Sequence, residues 1–167
     1  MTGTGTDRAD RPHGRSRHVA RSAARLAAVQ ALYQMDIGGA DIADVIAEFR
    51  GARLGIAYDE EGKPHSGDPA DADFFEAIVR GVVDRQRALD PAINQALAKG
   101  WTLPRLDATL RAILRAGSFE ISGRSDVPPK TVIDEYVTVA RAFFDGDEPK
   151  VVNAVLDRLA RELLGEV

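Results

Sequence analysis

Apolar side chains recur along this chain at intervals of three and four residues, and no stretch sustains the period-two alternation of a strand with hairpin chemistry. That periodicity confines the chain to helices packed on helices. It predicts seven. The first runs from about Ser16 to Met35, with Val19, Leu26, Val29, Tyr33 and Ile37 on one stripe, and Gly38-Gly39 stops it. Asp41 caps a short second helix that turns Ile42, Val45, Ile46 and Phe49 inward and ends near Gly51. Asp71 or Asp73 starts the third, whose apolar face extends from Phe74 and Phe75 to Val82 and Val83. The triplet Leu89-Asp90-Pro91 closes that helix and opens a fourth, carrying Ile93 and Leu97 up to Gly100. The fifth follows Pro104, with Leu106, Leu110, Ile113, Leu114 and Phe119, to about Ile121. Pro129 opens the sixth, which buries Val132, Ile133, Tyr136, Val139, Ala140 and Phe143. Pro149 leads the last, with Val151, Val152, Val155, Leu156, Leu159 and Leu163 inward. Trp101, alone before the fifth helix, reads as a core plug.

A chain of 167 residues with 44% hydrophobic side chains can bury one core or two small coupled ones. Residues 1–14 lack apolar periodicity and are expected to be a flexible basic tail. Residues 15–167 form a single domain interrupted by a long Gly- and Pro-bearing loop at about 51–69, in which Leu54, Ile56 and Tyr58 could make one brief ordered turn. The absence of cysteine excludes disulfides and thiolate metal sites, and His13, His18 and His65 are scattered, so neither a metal nor a cofactor is expected. There is no apolar run of about eighteen residues and no signal-type apolar region after the first arginines. The expectation is a cytoplasmic protein with no membrane partner.

Charge is distributed unevenly. Residues 1–30 hold six arginines, no lysine and two aspartates, a formal +4, whereas residues 31–167 hold sixteen basic against twenty-four acidic side chains, a formal −8. The net −4 of the chain conceals a cationic end. Four of the six, Arg15, Arg17, Arg21 and Arg25, fall on the first helix, the last three at spacing i, i+4, i+8. Guanidinium groups offer forked donors to phosphate and a flat face to bases, so a polyanion, and single-stranded RNA in particular, is the expected partner. Asp134-Glu135 and the group Asp145, Asp147 and Glu148 could be sought as catalytic carboxylates. Neither has a histidine in its segment, and both sit at helix beginnings where acids meet the positive end of the helix dipole. Nucleophile elbows, phosphate loops, dinucleotide loops and zinc-protease motifs are missing, so no enzyme is expected.

Four segments carry a resemblance: Ala28-Val-Gln-Ala-Leu-Tyr33, Arg111-Ala-Ile-Leu-Arg115 with Phe119-Glu120, Ser125-Asp-Val-Pro-Pro-Lys-Thr-Val-Ile-Asp-Glu135, and Val151-Val-Asn-Ala-Val-Leu-Asp157. In order and spacing the chain from about Ser16 onward resembles the NusB family of transcription antitermination factors. The loop at 51–69 looks longer than in compact family members, and Gly117 stands where the family more often has a small apolar residue. The resemblance implies an all-α fold of two packed bundles, three helices then four, with no catalysis. It further implies an antitermination factor that binds boxA RNA of nascent ribosomal transcripts together with NusE, a ribosomal small-subunit protein. Such a complex joins RNA polymerase and other Nus factors and suppresses premature Rho-dependent termination. The RNA-binding residues so implied are Arg15, Arg17, Arg21, Arg25, Asp147 and Lys150; Tyr33, Arg111 and Arg115 mark the NusE-facing side. Asp147 is equally readable as the cap of the last helix, and Tyr33 as a core residue. Two alternatives stand beside this: the RNA-binding domain of a ribosomal RNA cytosine methyltransferase, and a helical protein–protein adaptor. A homo-oligomer is left open.

Overall fold

A computed structural model describes residues 13–52, 54, 57–58, 64–65 and 70–165. Among these the chain forms six α-helices: α1 (His13–Gly38), α2 (Ile42–Ala52), α3 (Ala72–Ala96), α4 (Ala108–Gly123), α5 (Pro129–Phe143) and α6 (Glu148–Leu163). A 3-10 turn at Leu103–Arg105 lies before α4. The expected loop also holds a two-stranded antiparallel hairpin, Ala57–Tyr58 paired with Pro64–His65, where no sheet was anticipated. Two-residue strands are too short to show alternation. The rest of the loop and residues 1–12 of the expected tail, with Arg8 and Arg11, lie outside the described residues, while His13 and Gly14, expected in that tail, are the first residues of α1.

Six helices stand in place of seven because Pro91 does not break α3. An internal proline removes one backbone hydrogen bond and costs roughly 3 kcal/mol. Against this, Leu89 and Ile93 on either side are 6% and 0% exposed, each burial stabilising by about 1.5–3 kcal/mol. Arg115 from α4 also donates two hydrogen bonds to the Asp90 carboxylate, at 2.9 and 3.0 Å. The aspartate predicted to cap a new helix is held by a tertiary partner, and the helix continues.

Apart from Asp147, the other punctuation acts as read. Gly39 takes φ +66° just past α1, Asp41 accepts from Ala43 N at 3.2 Å at the start of α2, and Asp71 accepts from Phe74 N at the N-cap of α3. Asp107 caps α4, and prolines occupy the first turns of α5 and α6. Helix α4 is the hub, packed against α1, α3, α5 and α6. The expected pair of bundles is thus merged around one continuous core. Glycines permit its tightest crossings: a Cβ on Gly117 would lie 2.7 Å from Leu156 Cδ1 on α6, and one on Gly81 would enter the Phe119 ring at 2.1 Å.

The predicted stripe of α1 is buried only in part, at Val29 and, packed against the core, Leu26. Ala24, Ala27, Ala28, Val29, Ala31 and Leu32 are buried, whereas Val19, Tyr33 and Ile37 are 42%, 37% and 59% exposed. The large apolar residues do share a stripe, but the alanines of the other face, with Val29 and Leu32, are the ones packed into the core where α1 meets α3 and α4. Val83, Phe143, Leu163 and Trp101, expected in the core, are exposed as well.

Candidate nucleic-acid interface

Arg17, Arg21, Ala24, Arg25, Ala28 and Ala31 follow one another at i, i+4, i+7, i+8, i+11 and i+14, so the arginine row is the core face of α1 continued past the edge of the core. A gradient of burial results. Arg17 is exposed and makes no ion pair among the described residues. The Arg21 side chain is 21% exposed and Arg25 only 2%. The side chain of Arg15 lies outside the described residues.

Arg25 does not project to solvent with its neighbours. Its Nε and Nη2 donate to the two Glu120 oxygens at 2.8 and 2.9 Å, and Glu120 is fully buried. The Tyr136 hydroxyl donates to the same carboxylate at 2.5 Å. Glu135, 3.6 Å from Arg25 Nη1, accepts from Ser22 Oγ at 2.9 Å and faces His18 Nε2 at 3.3 Å. Burial alone would lower the Arg25 pKa, yet the hydrogen bond and charge of Glu120 hold it raised. Tyr136 is pushed well above the ordinary phenol range by burial and then by the Glu120 charge. Two candidates for an exposed polar face, Arg25 and Glu135, therefore belong to a buried network joining α1, α4 and α5. Its signals were in the sequence: Glu120 sits on the apolar stripe of Leu110, Ile113 and Gly117, and Arg25 lies four residues before Val29.

Arg21 is fenced in. Its guanidinium carbon stands 4.4 Å over the Phe74 ring, which Arg25 and Arg124 also face at 4.9 Å each. Asp126 Oδ2 accepts from Arg21 Nη1 at 3.5 Å, and Asp71 Oδ2 lies 4.0 Å from its buried Nε, too far for a hydrogen bond. Three cations around one ring repel each other, and Asp126 offsets this by bridging Arg21 and Arg124. The hydrogen bond from Arg124 holds the Asp126 carboxyl below its ordinary range. Beyond Arg17, therefore, each positive charge of the row has an internal counter-charge.

Asp147 and Lys150 lie apart from that network, at the start of α6, with side chains 88% and 87% exposed and 3.9 Å between Lys150 Nζ and Asp147 Oδ1. Asp147 occupies the N-cap position but its carboxylate makes no cap bond; its carbonyl instead accepts from Lys150 N and Val151 N. The side-chain cap anticipated for it is absent, and the exposed carboxylate has Lys150 as its neighbour. Beside them Trp101, 49% exposed, shares a groove of about 530 Å³.

On the last turn of α1, Tyr33 lines a second groove of about 530 Å³ with Val29, Ile37, Thr109 and Phe143. Tyr33 is a rim residue rather than core. Arg111 and Arg115 face a neighbouring polar depression with Asp36 and Asp90. Arg111 donates to Asp36 at 3.0 Å and Arg115 to Asp90, so both brace α4 against α1 and α3. Among the described residues no helix is long and apolar enough to cross a membrane, and no group of three or more acidic or histidine side chains could hold a metal ion.

Comparison with known proteins bears on this arrangement. A sequence model of the NusB family matches residues 22–161. The chain is 57% identical over 149 residues to a transcription antitermination protein NusB of Rhizobium rhizogenes, covering 87% of this chain and 89% of that protein. It is 56% identical over 146 residues to one of Sinorhizobium fredii, with the same coverage. Among solved structures, the T. maritima NusB superposes with a TM-score of 0.68 at 26% identity over 85% of this chain and 91% of that one. A complex of antitermination factors NusB and NusE with dsRNA shares the fold, with a TM-score of 0.68 at 20% identity over 86% of this chain and 98% of that one. Matched along most of its length, from Ser22 on the arginine-bearing helix to Arg161 near the end of α6, the chain belongs to the NusB family.

Proposed function

We propose that the protein is a non-enzymatic, cytoplasmic transcription antitermination factor that binds single-stranded boxA RNA of nascent ribosomal transcripts jointly with NusE. The names of its relatives support antitermination, and the complex of the same fold with NusE and dsRNA supports NusE and an RNA as partners. In this reading Arg15, Arg17 and Arg21 approach phosphates, Lys150 and Asp147 meet the strand at the start of α6, and NusE docks on the Tyr33 groove with Arg111 and Arg115 as its braced rim. The assembly then joins RNA polymerase and other Nus factors and opposes Rho-dependent termination.

The observation that carries the proposal is the internal neutralisation of the arginine row. Arg21, Arg25 and Arg124 face Asp126, Glu120 and Glu135, so within the arginine row it is the start of α1 that attracts phosphate most strongly, on a chain whose net charge is −4. Such a strip binds RNA weakly alone and needs a second protein to complete the site. The test is a polarisation titration of boxA and scrambled RNA with NusE added stepwise. Affinity for boxA should rise with NusE, and Arg17→Ala should flatten the salt slope by about one. Equal affinity for the scrambled RNA, or no gain with NusE, would reject the proposal.

A further inference from the structure

Outside the arginine row, one cation is held in place without a counter-charge. Arg85 on α3 is exposed, and among the described residues it makes neither a hydrogen bond nor an ion pair. The positions one turn away along α3 are Gly81, Val82, Ala88 and Leu89, so the helix supplies no acid to face it, and Asp84 lies about 100° to one side. The Phe119 ring holds the side chain instead, with the guanidinium carbon 5.7 Å from the ring centroid. Two glycines make room for this contact. A Cβ on Gly81, one turn before Arg85, would enter the ring, and a Cβ on Gly123 at the end of α4 would stand 2.8 Å from Arg85 Nη1 and 2.9 Å from Phe119 Cε1. The ring itself is packed in the core at 7% exposure. Arg85 is thus a guanidinium laid over a fixed apolar surface, with its N–H donors unfilled by the protein.

Continuity with the row on α1 identifies the ligand. Arg124, next to Gly123, shares the Phe74 ring and the Asp126 carboxylate with Arg21. Arg17, Arg21, Arg124 and Arg85 therefore succeed one another from α1, across the end of α4, to α3. The two in the middle are answered by Asp126, whereas Arg17 and Arg85 at the ends have no acidic partner among the described residues. A small anion would meet only one end. A nucleic-acid strand repeats its phosphate at every nucleotide, so a strand held at Arg17 can present a later phosphate to Arg85. A guanidinium fork already oriented by an aromatic face also loses less freedom on meeting that phosphate than an unsupported side chain would. We infer that Arg85 is a phosphate contact of the RNA site, the strand leaving α1 and crossing the end of α4 onto α3. This rests on the RNA-binding reading above and extends its site to a helix that the arginine row does not include.

The full-length protein, with NusE present, is titrated with labelled boxA RNA and with a scrambled RNA of equal length over a range of salt concentrations, alongside Arg85→Gln, Arg85→Lys and Arg87→Gln. Arg87 is exposed as well but lies about 200° round α3 from Arg85, so its loss makes the same change of charge away from the strip. Arg85→Gln should weaken binding about three- to tenfold at low salt and flatten the salt slope by about one. The factor should be the same for both RNAs, because a phosphate carries no sequence. Arg85→Lys, which keeps the charge, should keep the slope, and Arg87→Gln should bind like the unaltered chain. An unchanged slope in Arg85→Gln, even with a lowered thermal melt, overturns the contact and leaves Arg85 a support for Phe119. An equal loss in Arg87→Gln overturns it too, by showing a response to overall charge alone, and so does a loss confined to boxA, which marks a base contact. In each of these cases RNA binding at α1 still stands. Failure of the unaltered protein to bind either RNA removes both readings.

Discussion

Replacing Arg25 by methionine separates two roles that its place in the arginine row confuses. If the side chain reaches RNA, its loss weakens binding and leaves the fold intact. The structure implies the reverse. The substitution removes both donors, at 2.8 and 2.9 Å, from a carboxylate that is 0% exposed, and leaves Glu120 with Tyr136 as its remaining hydrogen-bond donor. Breaking a buried pair from one side costs about 3–5 kcal/mol, far above the 0–1 kcal/mol typical of a surface pair. For a domain of this size that corresponds to a fall in Tm of roughly 6–20 °C. Urea unfolding followed by far-ultraviolet circular dichroism measures it. The double variant Arg25→Met/Glu120→Gln removes the stranded charge while keeping an acceptor for Tyr136, and should recover most of the loss. RNA affinity of the folded single variant, taken well below its Tm, should stay within about threefold. A stability loss under about 1 kcal/mol together with a tenfold loss of RNA affinity would refute the assignment and return Arg25 to the interface.

Other expectations follow from the same contacts. Gly117→Ala places a methyl 2.7 Å from Leu156 Cδ1 and 3.3 Å from Tyr136 Cδ2, and the overpacking should cost about 1–3 kcal/mol; an unchanged thermal melt would show that α4 and α6 can part freely. Tyr136 has a folded pKa raised above its ordinary 10.0, so the unfolded chain loses that proton first, and stability present below pH 10.0 should decline as pH rises beyond it. Tyr136→Phe should flatten that alkaline slope, and an unaltered slope would count against a buried neutral phenol. Asp147→Asn leaves α6 unharmed, because the carboxylate makes no cap bond, and should tighten boxA binding about two- to fivefold at low salt. Unchanged or weaker binding in a fluorescence titration argues that this carboxylate accepts from a base instead.

Helical periodicity and punctuation made most of the fold legible. Gly39, Asp41, Asp71, Pro129 and Pro149 mark the helix boundaries by local chemistry, which a residue carries wherever it sits. Pro91 misled for the converse reason: its cost is local, while the burial of Leu89 and Ile93 and the Arg115–Asp90 bonds that outweigh it come from elsewhere in the chain. The uneven charge and the family likeness were likewise readable in the sequence, and they pointed to the start of α1 and the start of α6.

What the sequence determined by itself, then, is an all-helical chain of the NusB family with a cationic first helix. Tertiary structure decided which arginines remain available. On α1 the alanines, with Val29 and Leu32, took the core and left Val19, Tyr33 and Ile37 outside it, because small residues allow backbones to approach. That choice of face turned Arg25 inward onto Glu120, left Arg17 outward, and freed Tyr33 and Ile37 to line a groove. Periodicity fixes which residues share a face of a helix. Which face is buried depends on the shape of the neighbours it meets, and that becomes known only when the helices pack.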